Sequence, residues 1–240
     1  MNIVIIGYGK MGQEIEKIAR ERGHQIPLII DIENQNDLNE KNLAEIDVAI
    51  EFTIPENAIP NYQRCFEGKT PVVSGTTGWL DRFNEVKDMC LTNDQSFFYA
   101  PNFSLGVNIF FKLNQYLAGI MNHFKDYEVD LTEVHHTQKL DAPSGTAIKL
   151  AEDLIEKIER KDNWVLENPG QKENINIVAE RKDKVPGIHT IHYESDIDEI
   201  SITHSAKSRK GFAMGSVLAA EFLARQSPGI YNMDDLLDIS

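Results

Sequence analysis

Residues 2–12 read NIVIIGYGKMG, and this stretch determines the fold that the sequence predicts. Residues 2–6 form a nearly continuous apolar run, which is typical of a strand buried on both faces of a parallel sheet. Residues 7–12 have glycine at the first, third and last positions, and residues 13–23 carry apolar side chains at helical spacing. A strand, a G-x-G-x-x-G loop and a helix in this order predict a dinucleotide-binding site.

The three glycines have separate roles in such a site. Gly7 allows the tight turn, Gly9 lets a pyrophosphate approach the backbone, and Gly12 lets the helix pack close to the strand. The free N–H groups and the positive dipole end of the helix then face the phosphates. A glycine turn that binds no ligand is the alternative interpretation.

Asp31 ends the second predicted strand, 19 residues after Gly12. An acid at this place accepts hydrogen bonds from the adenosine ribose and repels a 2′-phosphate. No arginine follows Asp31 within the next few residues, so we expect NADH to be favoured. Lys10 lies close enough in sequence to leave NADPH open as well.

Strands and helices alternate over the first hundred residues. Apolar runs predict strands at 26–30, 47–52, 70–74 and 96–100, with helices at 58–66 and 80–90. This alternation indicates a parallel sheet with right-handed crossovers, so the fold class is α/β with a Rossmann-type domain. Only 14 residues separate Asp31 from Ile46. A full crossover helix barely fits there, and we expect the part of the domain that contacts the adenosine to be shortened.

Three loops follow predicted strands at what should be one edge of this sheet. Ligands of open parallel sheets bind outside the carboxyl ends of the strands. Ordinary turn chemistry would explain any one of these loops, but their shared edge favours cofactor contacts. The loops are Phe52-Thr53, Gly75-Thr76-Thr77-Gly78 and Pro101-Asn102-Phe103-Ser104.

The pattern changes after Asn102. Helical spacing predicts helices at 105–124, 147–160 and 214–225, and alternation predicts strands at 127–136, 174–181, 187–194 and 199–205. Residues 161–173 are polar, contain Pro169-Gly170, and are interpreted as a loop. Consecutive strands with few helices between them indicate a second α+β domain with an open, mixed or mainly antiparallel sheet.

The most unusual stretch is EVHHTQKLDAPSGTA at residues 133–147. Pro143 suits a first helical turn, and Ser144 or Thr146 can cap the helix. Free N–H groups near Gly145 and Thr146, beside Lys139, predict a carboxylate or phosphate site.

Two adjacent histidines, His135 and His136, alternate across the predicted strand and should face opposite ways. One of them can serve as an acid near its ordinary pKa of about 6.5. They are poorly placed to share a metal ion. The alternative interpretation is a pair of half-buried strand residues before a well-capped helix.

Composition excludes several classes of protein. The chain has 38 Asp and Glu against 24 Lys and Arg, a formal net charge of −14, which argues against binding to nucleic acid or to anionic membranes. Cys65 and Cys90 lack metal-ligand spacing and suggest a reducing compartment. Early apolar runs are too short for a signal peptide or a membrane span, so we expect a cytoplasmic protein.

The 135–146 segment resembles the signature of the 4-hydroxy-tetrahydrodipicolinate reductase family, also called dihydrodipicolinate reductases. The resemblance extends over nearly the whole chain. It includes residues 7–12, Gly75-Thr76-Thr77-Gly78, Asn102-Phe103-Ser104-x-Gly106-Val107-Asn108, and the late segment Thr203-His204-Ser205-Ala206-Lys207-Ser208-Arg209.

The resemblance implies NAD(P)H-dependent reduction of a cyclic imine dicarboxylate to tetrahydrodipicolinate, in the diaminopimelate route to lysine. It implies His135 and Lys139 as proton donors. Substrate contacts are implied for His136, Lys139, Ser144, Gly145 and Thr146. Cofactor contacts are implied for Gly7, Tyr8, Gly9, Lys10, Met11, Gly12, Asp31, Gly75, Thr76, Thr77, Tyr99, Ala100, Pro101 and Asn102.

The resemblance also implies an assembly and a domain plan. We expect a homotetramer built through the open sheet of the second domain. We expect a dinucleotide-binding domain at 1–103, to which 207–240 returns, and a substrate-binding and oligomerisation domain at 104–206.

Two other functions share part of this pattern. A different two-domain dehydrogenase of small amino acids or semialdehydes would keep the glycine loop without needing the 133–147 stretch. A non-catalytic dinucleotide sensor would need no proton donor beside an anion site.

Positive charge is concentrated in two segments of this acidic chain. Residues 203–211 contain Lys207, Arg209 and Lys210 and no acid, and Lys139 lies close to two histidines. The resemblance implies that both segments border one crevice, and the positive charge would then lie where anions bind.

Overall fold

The computed structural model describes residues 1–168, 170–208 and 210–238. The chain divides into two compact units. The first comprises Met1–Leu105 with Lys210–Ser240, and the second comprises Gly106–Arg209. Within the described ranges, no helix is long and apolar enough to cross a membrane.

The first unit contains a six-stranded parallel sheet with helices on both faces. Its strands β1 to β5 are Asn2–Ile6, Gln25–Ile30, Val48–Glu51, Val72–Ser74 and Ser96–Tyr99. Its helices α1 to α4 are Lys10–Glu21, Glu40–Leu43, Pro55–Glu67 and Phe83–Thr92. After the second unit, the chain returns as α7 (Lys210–Leu223), β11 (Gly229–Tyr231) and α8 (Met233–Leu237). The strand order is β11-β5-β4-β3-β1-β2, with every pairing parallel, which confirms the Rossmann-type sheet.

Apolar side chains alternate across this sheet because successive strand residues point to opposite faces. Ile3, Ile5 and Val48 pack on the face that carries α1 and α7, while Val4, Ile6 and Ala49 pack on the other face. Both sets are fully buried. The continuous apolar runs that predicted these strands are therefore a consequence of burial on both sides.

The second unit contains a five-stranded mixed sheet with two helices against one face. Its elements are α5 (Leu105–Met121), β6 (Glu128–His135), α6 (Gly145–Lys157), β7 (Asn163–Leu166), β8 (Asn174–Arg181), β9 (Gly187–Glu194) and β10 (Glu199–Ala206). The order is β10-β9-β6-β8-β7, with antiparallel pairs on the β9 side of β6 and parallel pairs on the β8 side. The predicted open mixed sheet is confirmed.

Several predicted boundaries are wrong for identifiable reasons. The loop predicted at 161–173 contains β7, whose backbone pairs with the edge of β8 and does not depend on an apolar run. The strand β11 and the helix α8 were not predicted, because they are three and five residues long. Pro143 precedes the helix, which begins at Gly145 because the Ser144 hydroxyl accepts a hydrogen bond from the Ala147 amide.

Helix ends also differ. The helix expected at 80–90 begins as a 3-10 turn and becomes α-helical at Phe83, the one expected at 105–124 ends at Met121, and the one expected at 214–225 begins at Lys210. Between β2 and β3, a 3-10 helix at Ile32–Asp37 and the four-residue α2 occupy the short segment. The expected short crossover is confirmed.

Helix α7 packs closely on the end of the parallel sheet through a glycine. A Cβ atom at Gly215 would lie 1.7 Å from the backbone oxygen of Phe103, so only glycine allows this approach. In contrast, a Cβ atom at Gly119, inside α5, would meet no described atom within 4 Å.

We predict that Gly215→Ala lowers the stability of the chain by about 1–3 kcal/mol, since backbone must move to admit the methyl group. Gly119→Ala is the matched control, and helix propensity predicts a gain of about 0.5–1 kcal/mol for it. Urea denaturation followed by far-UV circular dichroism measures both. Equal shifts of the two midpoints would contradict the close approach at Gly215.

Candidate active site

The glycine loop of the first unit borders a pocket at the carboxyl ends of β1, β2 and β3. The pocket has a volume of about 280 Å³. Six residues predicted to contact the cofactor line it: Gly7, Tyr8, Gly9, Asp31, Phe52 and Thr53. Lys10, Met11 and Gly12 lie in the first turn of α1 beside it.

The conformation of this loop agrees with the roles assigned to its glycines. Gly7 has φ +95°, and a Cβ there would lie 2.1 Å from the backbone oxygen of Phe52. A Cβ at Gly12 would lie 2.2 Å from the backbone oxygen of Gly7. At Gly9, no described atom beyond its neighbours lies within 4 Å of a Cβ position, so the backbone there is open to an incoming group.

The N-terminus of α1 is suited to an anion. Gly9 is its N-cap residue, and within the described chain no side chain caps this end and no acid lies in the first turn. Its first N–H groups therefore keep their hydrogen-bonding capacity and the positive end of the helix dipole is not neutralised. These residues fit the pyrophosphate of a dinucleotide.

Asp31 lies at the rim of the pocket. Its Oδ1 accepts a hydrogen bond from the Ile32 amide at 2.9 Å, and its own amide donates to Asn34 Oδ1 at 2.7 Å. These two bonds fix the carboxylate at the start of the 3-10 helix. Among the described residues that line the pocket, none is a lysine or an arginine.

The other predicted cofactor residues lie at the end of β5 or in the loops after β4 and β5, and they are not among the described residues that line this pocket. They are Gly75, Thr76, Thr77, Tyr99, Ala100, Pro101, Asn102 and Phe103. The Phe52 ring joins the three loops, since it lies 5.6 Å from the Phe103 ring and would be 2.1 Å from a Cβ at Gly75. The predicted shared edge is therefore present in the structure.

The sequence analysis missed Glu51, a fully buried acid at the end of β3. Its carboxyl group accepts hydrogen bonds from Thr76 Oγ1 at 3.0 Å and from the Thr53 hydroxyl, and Thr76 Oγ1 accepts the Thr53 amide at 2.7 Å. Tyr62 Oη and Ser74 Oγ lie 3.3 and 3.4 Å from its second oxygen. Burial raises the pKa of Glu51. One buried carboxyl group thus connects the loops that follow β3 and β4.

In the second unit, β6 ends at His135 and His136 is the residue that follows it, so the strand ends one residue earlier than predicted. The strand alternates half-buried and buried residues, and His135 is buried whereas His136 is half-buried. The expectation of an ordinary histidine pKa is wrong for His135. Burial, together with nearby His189, Lys139 and Arg181, lowers the pKa of His135 to about 4 although Glu133 acts in the opposite direction.

The N-terminus of α6 lies in the segment where an anion site was predicted. Ser144 is its N-cap residue, Gly145 and Thr146 are its first two residues, and no acid lies in the first turn of this fully described helix. The amides of Gly145 and Thr146 therefore have no partner within the helix. A carboxylate placed there would gain hydrogen bonds and dipole stabilisation.

Lys139 reaches this region with its charge already partnered. Its Nζ atom lies 2.8–2.9 Å from both carboxylate oxygens of Asp141. The lysine pairing lowers the pKa of Asp141. Lys139 was predicted as a cationic site residue, whereas its partner Asp141 was not among the predicted site residues.

A larger pocket of about 810 Å³ lies in the second unit. It is lined by His136, Thr137, Gln138, Asp183, Lys184, Pro186 and Ser208. Residues beside Lys139 and beside Lys207 therefore line one cavity, but neither lysine is among its described lining residues, and anion binding there stays a prediction. Arg209, the second of the three positively charged residues in the late segment, lies outside the described residues, and Lys210 begins α7.

Two further residues were missed, Glu133 and His189, which are buried beside His135. One ligand atom from each of the three residues lies within 4.8 Å of the others, a spacing that a metal ion could bridge. The carboxylate of Glu133 is already bonded to the Ser144 amide at 3.1 Å and to Arg181 at 3.3 Å. The only sequence signal was an acid two residues before a histidine, on the same face of a strand.

Comparisons with known proteins agree with this architecture. The family model for the N-terminus of dihydrodipicolinate reductase matches residues 1–103, and the model for its C-terminus matches residues 106–237. The solved structure "Dipicolinate bound Dihydrodipicolinate reductase from Paenisporosarcina sp. TG-14" has a similar fold, with a TM-score of 0.79 at 22% identity and 97% coverage of both chains.

Two curated relatives extend over nearly the whole chain. The 4-hydroxy-tetrahydrodipicolinate reductase of Christiangramia forsetii is 52% identical and covers 99% of this chain and 98% of its own. The enzyme of the same name from Lawsonia intracellularis is 35% identical, with 99% coverage of each. These matches favour the reductase over the two alternative functions. The chain belongs to the dihydrodipicolinate reductase family, oxidoreductases of diaminopimelate and lysine biosynthesis.

Proposed function

We propose that this chain performs the reaction of its family with NADH bound at the glycine-loop pocket and with substrate bound at residues 135–146. The substrate, 4-hydroxy-tetrahydrodipicolinate, reacts by way of dihydrodipicolinate and becomes tetrahydrodipicolinate. The nicotinamide supplies the hydride, and the protein supplies the proton. The observation that carries the proposal is that a buried imidazole, an amine and an acid-free helix N-terminus lie on one strand–helix connection.

The substrate is a dicarboxylate, so the site must hold anions. In this proposal one substrate carboxylate accepts hydrogen bonds from the backbone amides of Gly145 and Thr146 and lies against Ser144. Lys139 and His136 bind the remaining polar groups of the substrate. Charge-assisted hydrogen bonds of this kind are stronger than neutral ones, and they fix the ring for hydride attack.

Proton supply follows from the charges of the free site. Hydride arrival at the conjugated carbon leaves negative charge on the ring nitrogen side, which must be neutralised by a proton. His135 is neutral at pH 7 in the free protein, because its pKa is lowered to about 4. A dianion bound nearby favours the imidazolium and raises that pKa. His135 and the Lys139 ammonium are therefore the two proposed donors.

We predict that His135→Ala and Lys139→Ala each lower kcat by about 10²–10⁴-fold, the usual contribution of a general acid. NADH affinity should stay within twofold, because both residues belong to the second unit and the glycine loop belongs to the first. The assay follows NADH oxidation with freshly made condensation product of pyruvate and aspartate semialdehyde, and fluorescence titration gives the cofactor Kd.

The matched controls are His123→Ala and Lys125→Ala, exposed residues of the same unit. Neither should change kcat. Wild-type turnover no faster than background would reject the reductase proposal. Loss of NADH binding in either site variant would show that the residue belongs to the cofactor site and not to the substrate site.

For the cofactor, we propose a preference for NADH over NADPH. A 2′-phosphate would face the Asp31 carboxylate, and no described lysine or arginine lines the pocket to offset the repulsion.

We predict that Asp31→Ala weakens NADH binding by about tenfold, because one charge-assisted hydrogen bond is lost. The same substitution should reduce the difference in affinity between NADH and NADPH. Asp37→Ala, an exposed acid of the same 3-10 helix outside the pocket, is the control. Fluorescence titration with both cofactors tests this, and NADPH binding tenfold tighter to the wild type would overturn it.

For assembly, we propose a homotetramer formed through the open face of the β6–β10 sheet. Register places Thr203, Thr190, Thr132 and Val178 side by side on that face. These small uncharged side chains form a flat row, and α5 and α6 pack on the opposite face. Unit 2 therefore presents a surface suited to another sheet.

Light scattering should give about four times the chain mass of 27.2 kDa for the wild type. Thr190→Glu places a charge in the row and should yield smaller species, whereas Gln226→Glu, in the first unit, should leave the mass unchanged. A wild-type monomer would overturn the assembly proposal without affecting the catalytic one.

For the compartment, we propose a reducing, cytoplasmic setting. Both cysteines are free and buried, which supports this proposal.

A further inference from the structure

Glu133 is a fully buried acid on β6, on the same face of the strand as His135. Its two oxygens lie among four nitrogen-bearing groups. The Ser144 amide lies at 3.1 and 3.3 Å and the Arg181 guanidinium at 3.3 and 3.4 Å. His135 Nδ1 lies 3.5 Å away and His189 Nε2 lies 3.6 Å away, both from Oε2.

This carboxyl group is ionised in the folded protein. Burial opposes ionisation, but the close approach of His189, the hydrogen bonds from Ser144 and the electrostatic interaction with His135 outweigh it and lower the pKa of Glu133 to about 2. The Arg181 pair and the Ser144 amide hold the group in place. A fixed negative charge therefore faces the proposed proton donor at close range.

The surroundings of the His135 ring decide which nitrogen faces that charge. Nδ1 is buried and makes no hydrogen bond within the described residues, and Glu133 Oε2 lies 3.5 Å from it. On the other side of the ring, Nε2 would lie 3.0 Å from a Cβ at Gly187. The missing side chain at Gly187 leaves that side open.

His189 completes the arrangement. Its ring lies 5.1 Å from the His135 ring at 72°, and its Nε2 lies 3.1 Å from Ser144 Oγ. The Ser144 hydroxyl in turn accepts the Ala147 amide, so His189 connects Glu133 to the N-terminus of α6. The carboxylate is thus tied to the same helix end that is proposed to bind the substrate.

We infer that Glu133 is a positioning residue that holds His135 with its Nδ1 proton toward the carboxylate and stabilises the imidazolium, so that the proton leaves from Nε2. The inference rests on the proposed role of His135. When substrate binds, His135 Nε2 takes up a proton from solvent and the imidazolium forms. Each turnover then transfers one hydride from NADH to carbon and this proton from His135 Nε2 to the substrate. The imidazole is left neutral with its Nδ1 proton, and Glu133 remains ionised throughout. This use of a carboxylate is the general way a histidine is oriented for proton transfer.

The first experiment is a double-mutant cycle on kcat. Glu133→Gln keeps the shape and an acceptor oxygen but removes the charge, and should lower kcat by about 10–100-fold, as loss of a group that orients a histidine does. In a His135→Ala background the same substitution should change kcat less than twofold, because a residue acting through His135 has nothing left to position. NADH Kd should be unchanged in all variants.

Asp153→Asn provides the matched control. Asp153 is also a fully buried acid of the second unit, bonded to Lys149 and Gln115. If removal of any buried charge in this unit lowered kcat as Glu133→Gln does, the role of Glu133 would be structural and the inference would fail. Equal losses from Glu133→Gln with and without His135 would refute it in the same way.

A second measurement needs no altered Glu133. In ¹⁵N-histidine-labelled wild type at pH 7, with the His135 signals assigned by comparison with His135→Ala, we expect a protonated Nδ1 and an unprotonated Nε2. The opposite tautomer would overturn the inference. A fully active His135→Ala would instead refute the proposed donor role of His135 and the inference with it, and wild-type turnover no faster than background would refute the proposed function, so these failures are distinguishable.

Discussion

A carboxyl group without access to water must be satisfied by the protein around it, and this constraint shapes both functional regions of the chain. Glu51 and Glu133 are each fully buried near the carboxyl end of a central strand. Glu51 is surrounded by neutral hydroxyl groups, so burial raises its pKa. Glu133 is surrounded by N–H groups and positive charge, so its pKa is lowered. A glutamate side chain therefore connects two loops by hydrogen bonds in the first unit, and a glutamate side chain supplies a fixed negative charge in the second unit.

The parallel sheet could be predicted from sequence because its signal is local. β1 was predicted to the residue, since apolar side chains are needed where both faces are covered and residues 3–6 are all apolar. β8 and β9 were also predicted with the observed bounds, because half-buried strands alternate along the chain. β7 and β11 were missed because their backbone hydrogen bonds to a neighbouring strand fix them, and their side chains carry little pattern. Such edge pairing is a tertiary property.

The same distinction separates the site residues. Gly7 and Gly12 could be predicted because close backbone contacts exclude any Cβ there, and glycine spacing records that exclusion. Glu51, Glu133 and His189 could not, since an acid or histidine in a strand has the same appearance whether it faces solvent or a buried partner. Their importance arises from groups 11 to 56 residues away, such as Thr76 for Glu51 and Ser144 for Glu133 and His189. The low pKa of His135 has the same origin, because burial is its largest cause.

Positive charge in the second unit is balanced before any ligand arrives. Lys139 pairs with Asp141, Arg181 pairs with Glu133, and His135 is neutral at pH 7. A bound dianion in the proposed site therefore competes with Asp141, whose side chain is 61% exposed, for the Lys139 ammonium. Arg181 is held by the buried Glu133 and also donates to the Asp141 backbone oxygen at 2.7 Å. The exposed pair is the one that a substrate carboxylate can exchange at low cost, because surface ion pairs contribute little free energy, whereas the buried pair must stay intact to orient His135. An acidic chain can thus bind an anion without a permanently exposed positive patch.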